Sequence, residues 1–141
     1  MGSLAYGAIS RASKFGVAIF VTTSLAQAET VTIAALGDSL TAGYGLAQSE
    51  GFVPQLEGWL QAQGSDIVVL NAGVSGDTTA GGLSRAAWTL TPDVDAMIIA
   101  LGGNDFLRGL DPAVSKANLD GILAAGKDAG VAMLLVGLSV G

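Results

Sequence analysis

Three short polar blocks interrupt an otherwise apolar chain of 141 residues: GDSL at Gly37–Leu40, NAGVSGDTTAGG at Asn71–Gly82 and LGGNDFLRGL at Leu101–Leu110. Ser39, Gly76 and Asn104, one in each block, are residue types that acyl transfer uses. Ser39 is the candidate nucleophile, set where the backbone N–H groups of a helix start can steady an anion. Gly76 has no side chain to keep its own N–H from approaching the same point. Asn104 offers a side-chain amide as a third donor. Two backbone N–H groups and one amide make a workable oxyanion hole, in which a single donor can be worth about 10²–10³ in turnover. Taken singly, each block also has a plain local explanation. Gly-Asp-Ser is a common turn, a serine opening a helix often only caps it, and Asn-Asp after a strand often bonds its own backbone. The acyl-transfer reading rests on the three together.

A nucleophilic serine normally has a base beside it, and this chain contains no histidine. Asp38 adjoins the serine in sequence, while Asp77 and Asp105 read as ordinary carboxylates, so none is expected to replace an imidazole. The Ser39 hydroxyl is expected to stay protonated and weakly nucleophilic. Without Cys or His a zinc site has no plausible ligand set, and no cofactor is expected.

The blocks need a scaffold, and the apolar pattern supplies one. Four short runs recur at Val31–Leu36, Ile67–Leu70, Ala96–Leu101 and Val131–Val136. Each is nearly continuous in Val, Ile, Leu and Ala, the pattern of parallel strands covered on both faces. Between them, Phe52, Val53, Leu56, Trp59 and Leu60 form one helical stripe ending near Gly64. Asp111-Pro112 predicts a capped start for another helix, whose face carries Leu119, Ile122 and Leu123 before Lys127 and Gly130. Thr78–Leu90 reads as a weaker helix, because Gly81 and Gly82 each cost about 1 kcal/mol relative to alanine. Strands alternating with helices predict an α/β fold, a doubly wound parallel sheet with helices on both faces. In such sheets, sites form at the carboxyl ends of the strands. Those ends are Gly37–Ser39, Asn71–Asp77, Gly102–Asp105 and the residues after Val136.

Residues 1–28 read as a signal peptide rather than as part of the domain. Arg11 and Lys14 precede the apolar run Phe15–Leu25, and Ala26–Ala28 (AQA) fits a small-x-small cleavage site. The run is too short to span a bilayer, which takes about 20 residues, so no stable membrane anchor is expected after cleavage. An exported protein, periplasmic or secreted, is expected to begin at Glu29. From there, four basic residues (Arg85, Arg108, Lys116, Lys127) face all twelve acidic ones, a net charge of −8. No basic stripe exists to neutralise phosphates, which argues against nucleic acid and an anionic membrane as partners.

The three blocks, in order, resemble those of the SGNH (GDSL) hydrolase family, in particular its exported arylesterase, acyl-thioesterase and lysophospholipase branch. ALGDSLTAGYGL is similar to the first family block, NAGVSGDTTAGGLSR to the second, and LGGNDFLRGL to the G-x-N-D of the third. The resemblance implies that Ser39 is the nucleophile and an oxyanion donor through its own N–H, with Gly76 and Asn104 as further donors. It also implies a flavodoxin-like sheet of five parallel strands with a closing helix, and a D-x-x-H block that supplies the base and its orienting aspartate. The expectation is that this chain lacks that block along with the last strand and helix.

GLSVG at Gly137–Gly141 matches a different nucleophile elbow, but it has neither a following helix nor a downstream acid and histidine, and it is set aside. Phe106 is a candidate lining for an acyl pocket. Arg108 is a candidate contact for an anionic head group, although a solvated surface arginine fits it too. Tyr44, Trp59 and Trp88 read as packing residues rather than as platforms for a ligand. The sequence thus predicts a hydrolase domain for small acyl esters or thioesters, acting through acyl-Ser39 and of low activity in these 141 residues. The alternatives are a non-catalytic acyl-binding module, an inactive relic of the family, and a partner chain that donates the histidine.

Overall fold

A computed structural model describes residues 29–137; the expected signal peptide and all of GLSVG after Gly137 lie outside the described residues. Four strands, β1 (Val31–Gly37), β2 (Ile67–Gly73), β3 (Ala96–Ala100) and β4 (Ala132–Leu135), pair in parallel in the order β2-β1-β3-β4. The helices are α1 (Ser39–Ala42), α2 (Phe52–Ala62), α3 (Thr79–Thr89), α4 (Gly103–Leu107) and α5 (Pro112–Asp128). The chain steps from β1 outward to β2, then crosses back over β1 to β3. The strand order therefore reverses between β1 and β3, the point at which open α/β sheets build their crevice.

Helices lie on both faces. On one face Val53 of α2 packs with Ala35 and Val69, flanked by Leu56 and Leu60. On the other, Ala86 of α3 and Ile122 of α5 close over Ala34, Leu36, Met97 and Ile99. Asp111 caps α5 by accepting from the Ala113 N–H at 2.8 Å, with Pro112 next. The two glycines of α3 do not break it. Gly82 is buried against β3 and α5, where a Cβ would strike Leu101 Cδ1. Close packing there outweighs the weak helical propensity.

Several expectations need correction. β2 runs on through Asn71–Gly73, residues expected to be loop, because Ala35, Leu36 and Gly37 of β1 lie in register beside them. Covering on both faces is complete only for the central strand, where Ala34–Gly37 are all buried. Val68 and Leu70 on β2, and Leu134 and Leu135 on β4, the two edge strands, are exposed. Trp59 and Trp88 are also outside, 61% and 86% exposed, and Tyr44 is 78% exposed. On α2 the inward line is Val53, Leu56 and Leu60, which leaves Phe52 and Trp59 on its flank. On α3 the buried line is Thr79, Gly82 and Ala86, and Trp88 lies two residues, or about 200°, further round the helix.

Asp105 was expected to be ordinary and is not. It is only 3% exposed. Its carboxylate accepts from the Thr79 N–H at 2.9 Å, the Thr79 hydroxyl at 2.6 Å and the Ser115 hydroxyl at 2.9 Å. Asn118 donates to the same Thr79 hydroxyl at 3.0 Å. The network ties the starts of α3, α4 and α5 together. Burial pushes the Asp105 pKa up, but the bonds from Thr79 and Ser115 hold the charged form and the net direction is down.

Truncating the fully buried Ile122 to alanine should cost about 2–5 kcal/mol in urea unfolding, because it opens a cavity between α5 and the sheet. Asp105 also predicts an acid dependence. Its folded pKa lies below the unfolded value of about 3.9, so its stabilisation is complete above that pH and drains away as pH falls through the folded value. Asp105→Asn should therefore be less stable than the parent at neutral pH. The gap between the two urea midpoints should narrow as pH falls toward about 2.

Candidate active site

The reversal point between β1 and β3 opens onto Ser39. β1 ends at Gly37, and Asp38 turns the chain into α1 with its Oδ1 accepting from the Leu40 N–H at 3.0 Å. Asp38 is thus the helix cap, and Ser39 is the first helical residue. The local explanation of Ser39 as a cap does not hold, so its hydroxyl is free of that duty. The carbonyl of Ser39 accepts from the N–H groups of Gly43 and Tyr44, and closes the single turn of α1 at the left-handed Gly43. Ser39 itself is half-buried.

The second block follows β2. The Val74 N–H donates to the Gly37 carbonyl at 3.0 Å, which extends the β1–β2 ladder one step beyond the strands. Asp77 N–H then donates to the Val74 carbonyl, making a tight turn with Gly76 inside it at φ +80°. That left-handed backbone is what requires glycine, since the nearest atom to an added Cβ would be Arg108 Nη2 at 3.6 Å.

Asn104 joins the two blocks. Its side-chain Nδ2 donates to the Asp77 carbonyl at 2.9 Å and to Asp38 Oδ2 at 3.3 Å. It therefore reaches the neighbour of Gly76 with one hydrogen and the neighbour of Ser39 with the other. The buried carboxylate of Asp38 is left with both oxygens engaged, one by Leu40 and one by Asn104.

Arg108 Nη2 donates to the Gly76 carbonyl at 2.7 Å, so this arginine is exposed yet bound to the loop. Phe106 is largely exposed, between two openings. One is a cavity of about 270 Å³ shared with Leu101, Leu119, Leu135 and Val136. The other, of about 510 Å³, is shared with Leu110, Pro112, Ser115 and Leu119.

Sequence reasoning missed Arg85. It pairs through Nε with Asp77 Oδ2 at 2.8 Å, and Nη1 and Nη2 donate to the carbonyls of Ala72 and Gly37 at 2.6 and 2.9 Å. The one available signal was Asp77 and Arg85 eight residues apart, roughly two helical turns. Nothing local indicated that the guanidinium reaches past its own helix to β1.

The geometry can be set beside known proteins. The chain is 41% identical over 115 residues to esterase TesA of Pseudomonas aeruginosa (strain PAO1), covering 81% of this chain and 57% of that protein. It is 37% identical over 119 residues to thioesterase 1/protease 1/lysophospholipase L1 of Escherichia coli K12, covering 84% and 55%. The crystal structure of AlinE4, an SGNH-hydrolase family esterase, superposes with a TM-score of 0.77 at 45% identity, covering 82% of this chain and 62% of that one. The chain thus spans little more than half the length of these relatives. The sequence model of the GDSL-like lipase/acylhydrolase family matches residues 35–140, from near the end of β1 past the end of β4. With its three blocks gathered at the carboxyl ends of β1, β2 and β3, the chain belongs to the GDSL-like lipase/acylhydrolase family.

Proposed function

We propose that these residues carry the nucleophile and the oxyanion donors of a hydrolase of carboxylic esters or thioesters, acting through an acyl-Ser39 intermediate. The observation that carries this reading is the Asn104 amide, which bridges from the residue before Ser39 to the residue after Gly76. In the reaction, Ser39 Oγ forms a bond to the acyl carbon and passes its proton to water, since these residues include no histidine to take it. The carbonyl electrons move to oxygen, and the N–H groups of Ser39 and Gly76 and the amide of Asn104 take up that charge. Of the two Asn104 hydrogen bonds, the longer one to Asp38 is the one an incoming anion would displace. The carbonyl re-forms as the bond from the acyl carbon to the leaving oxygen or sulfur breaks, and the proton first passed to water returns to that group as it departs as alcohol or thiol. Water then adds to acyl-Ser39, the bond to Oγ breaks, and the acid leaves as Oγ regains a proton. Esterase and thioesterase relatives support small acyl esters or thioesters as the substrate class. Phe106 would lie along the acyl group, and Arg108 would offer its remaining N–H groups to an anionic head group.

The proton step limits this chain. No histidine is present, and in another serine hydrolase removal of the base costs about 10⁶ in turnover. Hydrolysis by these 141 residues alone should be slow, and the alternative reading is an acyl-binding module without turnover.

A fluorophosphonate separates the two. It should label Ser39 slowly, faster when imidazole supplies the missing base, and not at all in Ser39→Ala. Asn104→Ala should slow labelling by about 10²–10³. Label that persists in Ser39→Ala would remove the nucleophile assignment. Unlabelled protein that still binds a fatty acid would favour the binding module. We read residues 1–28 as an export signal cut after Ala28; N-terminal sequencing of protein exported by a bacterial host should begin at Glu29, and an intact Met1 would refute it.

A further inference from the structure

We infer that Arg85 is the positioning residue of the oxyanion site, setting the separation between the N–H groups of Ser39 and Gly76. The inference rests on the function proposed above. A guanidinium is a flat, permanently charged fork whose N–H groups point in fixed directions. Here each of its three nitrogens has a different acceptor: Asp77 Oδ2, the Ala72 carbonyl and the Gly37 carbonyl. Gly37 is the last residue of β1 and lies two residues before Ser39. Ala72 is near the end of β2, and Asp77 directly follows Gly76. One rigid group therefore spans the exits of both strands and the turn that follows β2.

The clamp is braced from behind. Arg85 projects from α3, and the start of α3 is held to α4 through Thr79 and Asp105. The Arg85 side chain is 23% exposed and that of Asp77 is 13% exposed, so water competes little for these bonds. The Gly37 carbonyl accepts from Val74 as well as from Arg85, which fixes the β1 exit from two sides. Arg85 is not among the proposed anion donors. Its effect passes through the backbone of the residues that are.

Lysine keeps the charge but is a point donor on a flexible stem, and it cannot hold three divergent acceptors in one plane. Arg85→Lys and Arg85→Ala are compared with the parent as full chains, after thermal melts establish that each is folded. The readouts are the amide resonances of Ser39 and Gly76, and the imidazole-assisted rate of fluorophosphonate labelling, separated into a saturation constant and a maximal rate. Displacing a donor by about 1 Å can cost about 10²-fold, so the maximal rate of Arg85→Lys should fall by about that factor with little change in saturation. Both amide resonances should move. Guanidinium at millimolar concentration should restore Arg85→Ala, whereas sodium chloride at equal ionic strength should not. A folded Arg85→Lys with parental resonances and parental labelling overturns the inference. If Arg85→Lys does not fold, Arg85→Ala in guanidinium decides: recovery supports the clamp, and a folded but slow protein overturns it. If the parent is never labelled, the functional reading falls by itself. The resonances then decide alone: their movement in folded Arg85→Lys upholds the clamp, and their constancy overturns it.

Discussion

Strand β1 uses its peptide groups on both sides, pairing with β2 from Val31 onward and with β3 from Ile33 onward. This double ladder sets where the helices and the site can lie. Because β2 and β3 lie on opposite sides of β1, the connections to them diverge, and a gap opens above Gly37 where no crossover runs. Ser39 emerges into that gap. The small side chains of Ala34 and Ala35 let helices approach β1 from both faces, with Ala86 and Ile122 on one and Val53 on the other.

The carboxylates near the gap have different fates for a reason of local chemistry. Asp77 meets a fixed cation, Arg85, at the half-buried mouth. Asp105 is buried among neutral donors, and its charge is held by hydrogen bonds from Thr79 and Ser115 rather than by a partner charge. Asp38 is divided between the start of α1 and the amide of Asn104. Each of the three is bound in a way that fixes backbone. A free carboxylate suited to take a proton from Ser39 is not what these bonds describe.

Much of the fold was legible because parallel strands and amphipathic helices leave local periodic traces. The four apolar runs became the four strands to within a few residues, and Asp111-Pro112 opened a helix as its residue types dictate. The errors came from places where a local pattern under-determines the environment. Trp88 fits a helix equally well whether it faces the core or water, and only the line of Thr79, Gly82 and Ala86 against the sheet shows that it faces water. Gly81 and Gly82 argued for a weak helix, and the closeness of Leu101 turned one of them into a packing requirement.

The alternation of four strands with three longer helices, the Asp111 cap and the three polar blocks were readable along the chain, because these depend on residues within a few positions of one another. The sequence also determined the charge and the absence of an imidazole, since both are counts. That the three blocks converge was an expectation of the sequence; the bonds that join them appear only in the folded chain. Arg85 reaches Gly37 across 48 positions, Asn104 reaches Asp38 across 66, and Asp105 reaches Thr79 across 26. These partners come together through the strand order β2-β1-β3-β4, and nothing in the spacing of residues along the chain specifies that order. It is fixed by which faces can be buried at once, a property of the whole packed chain.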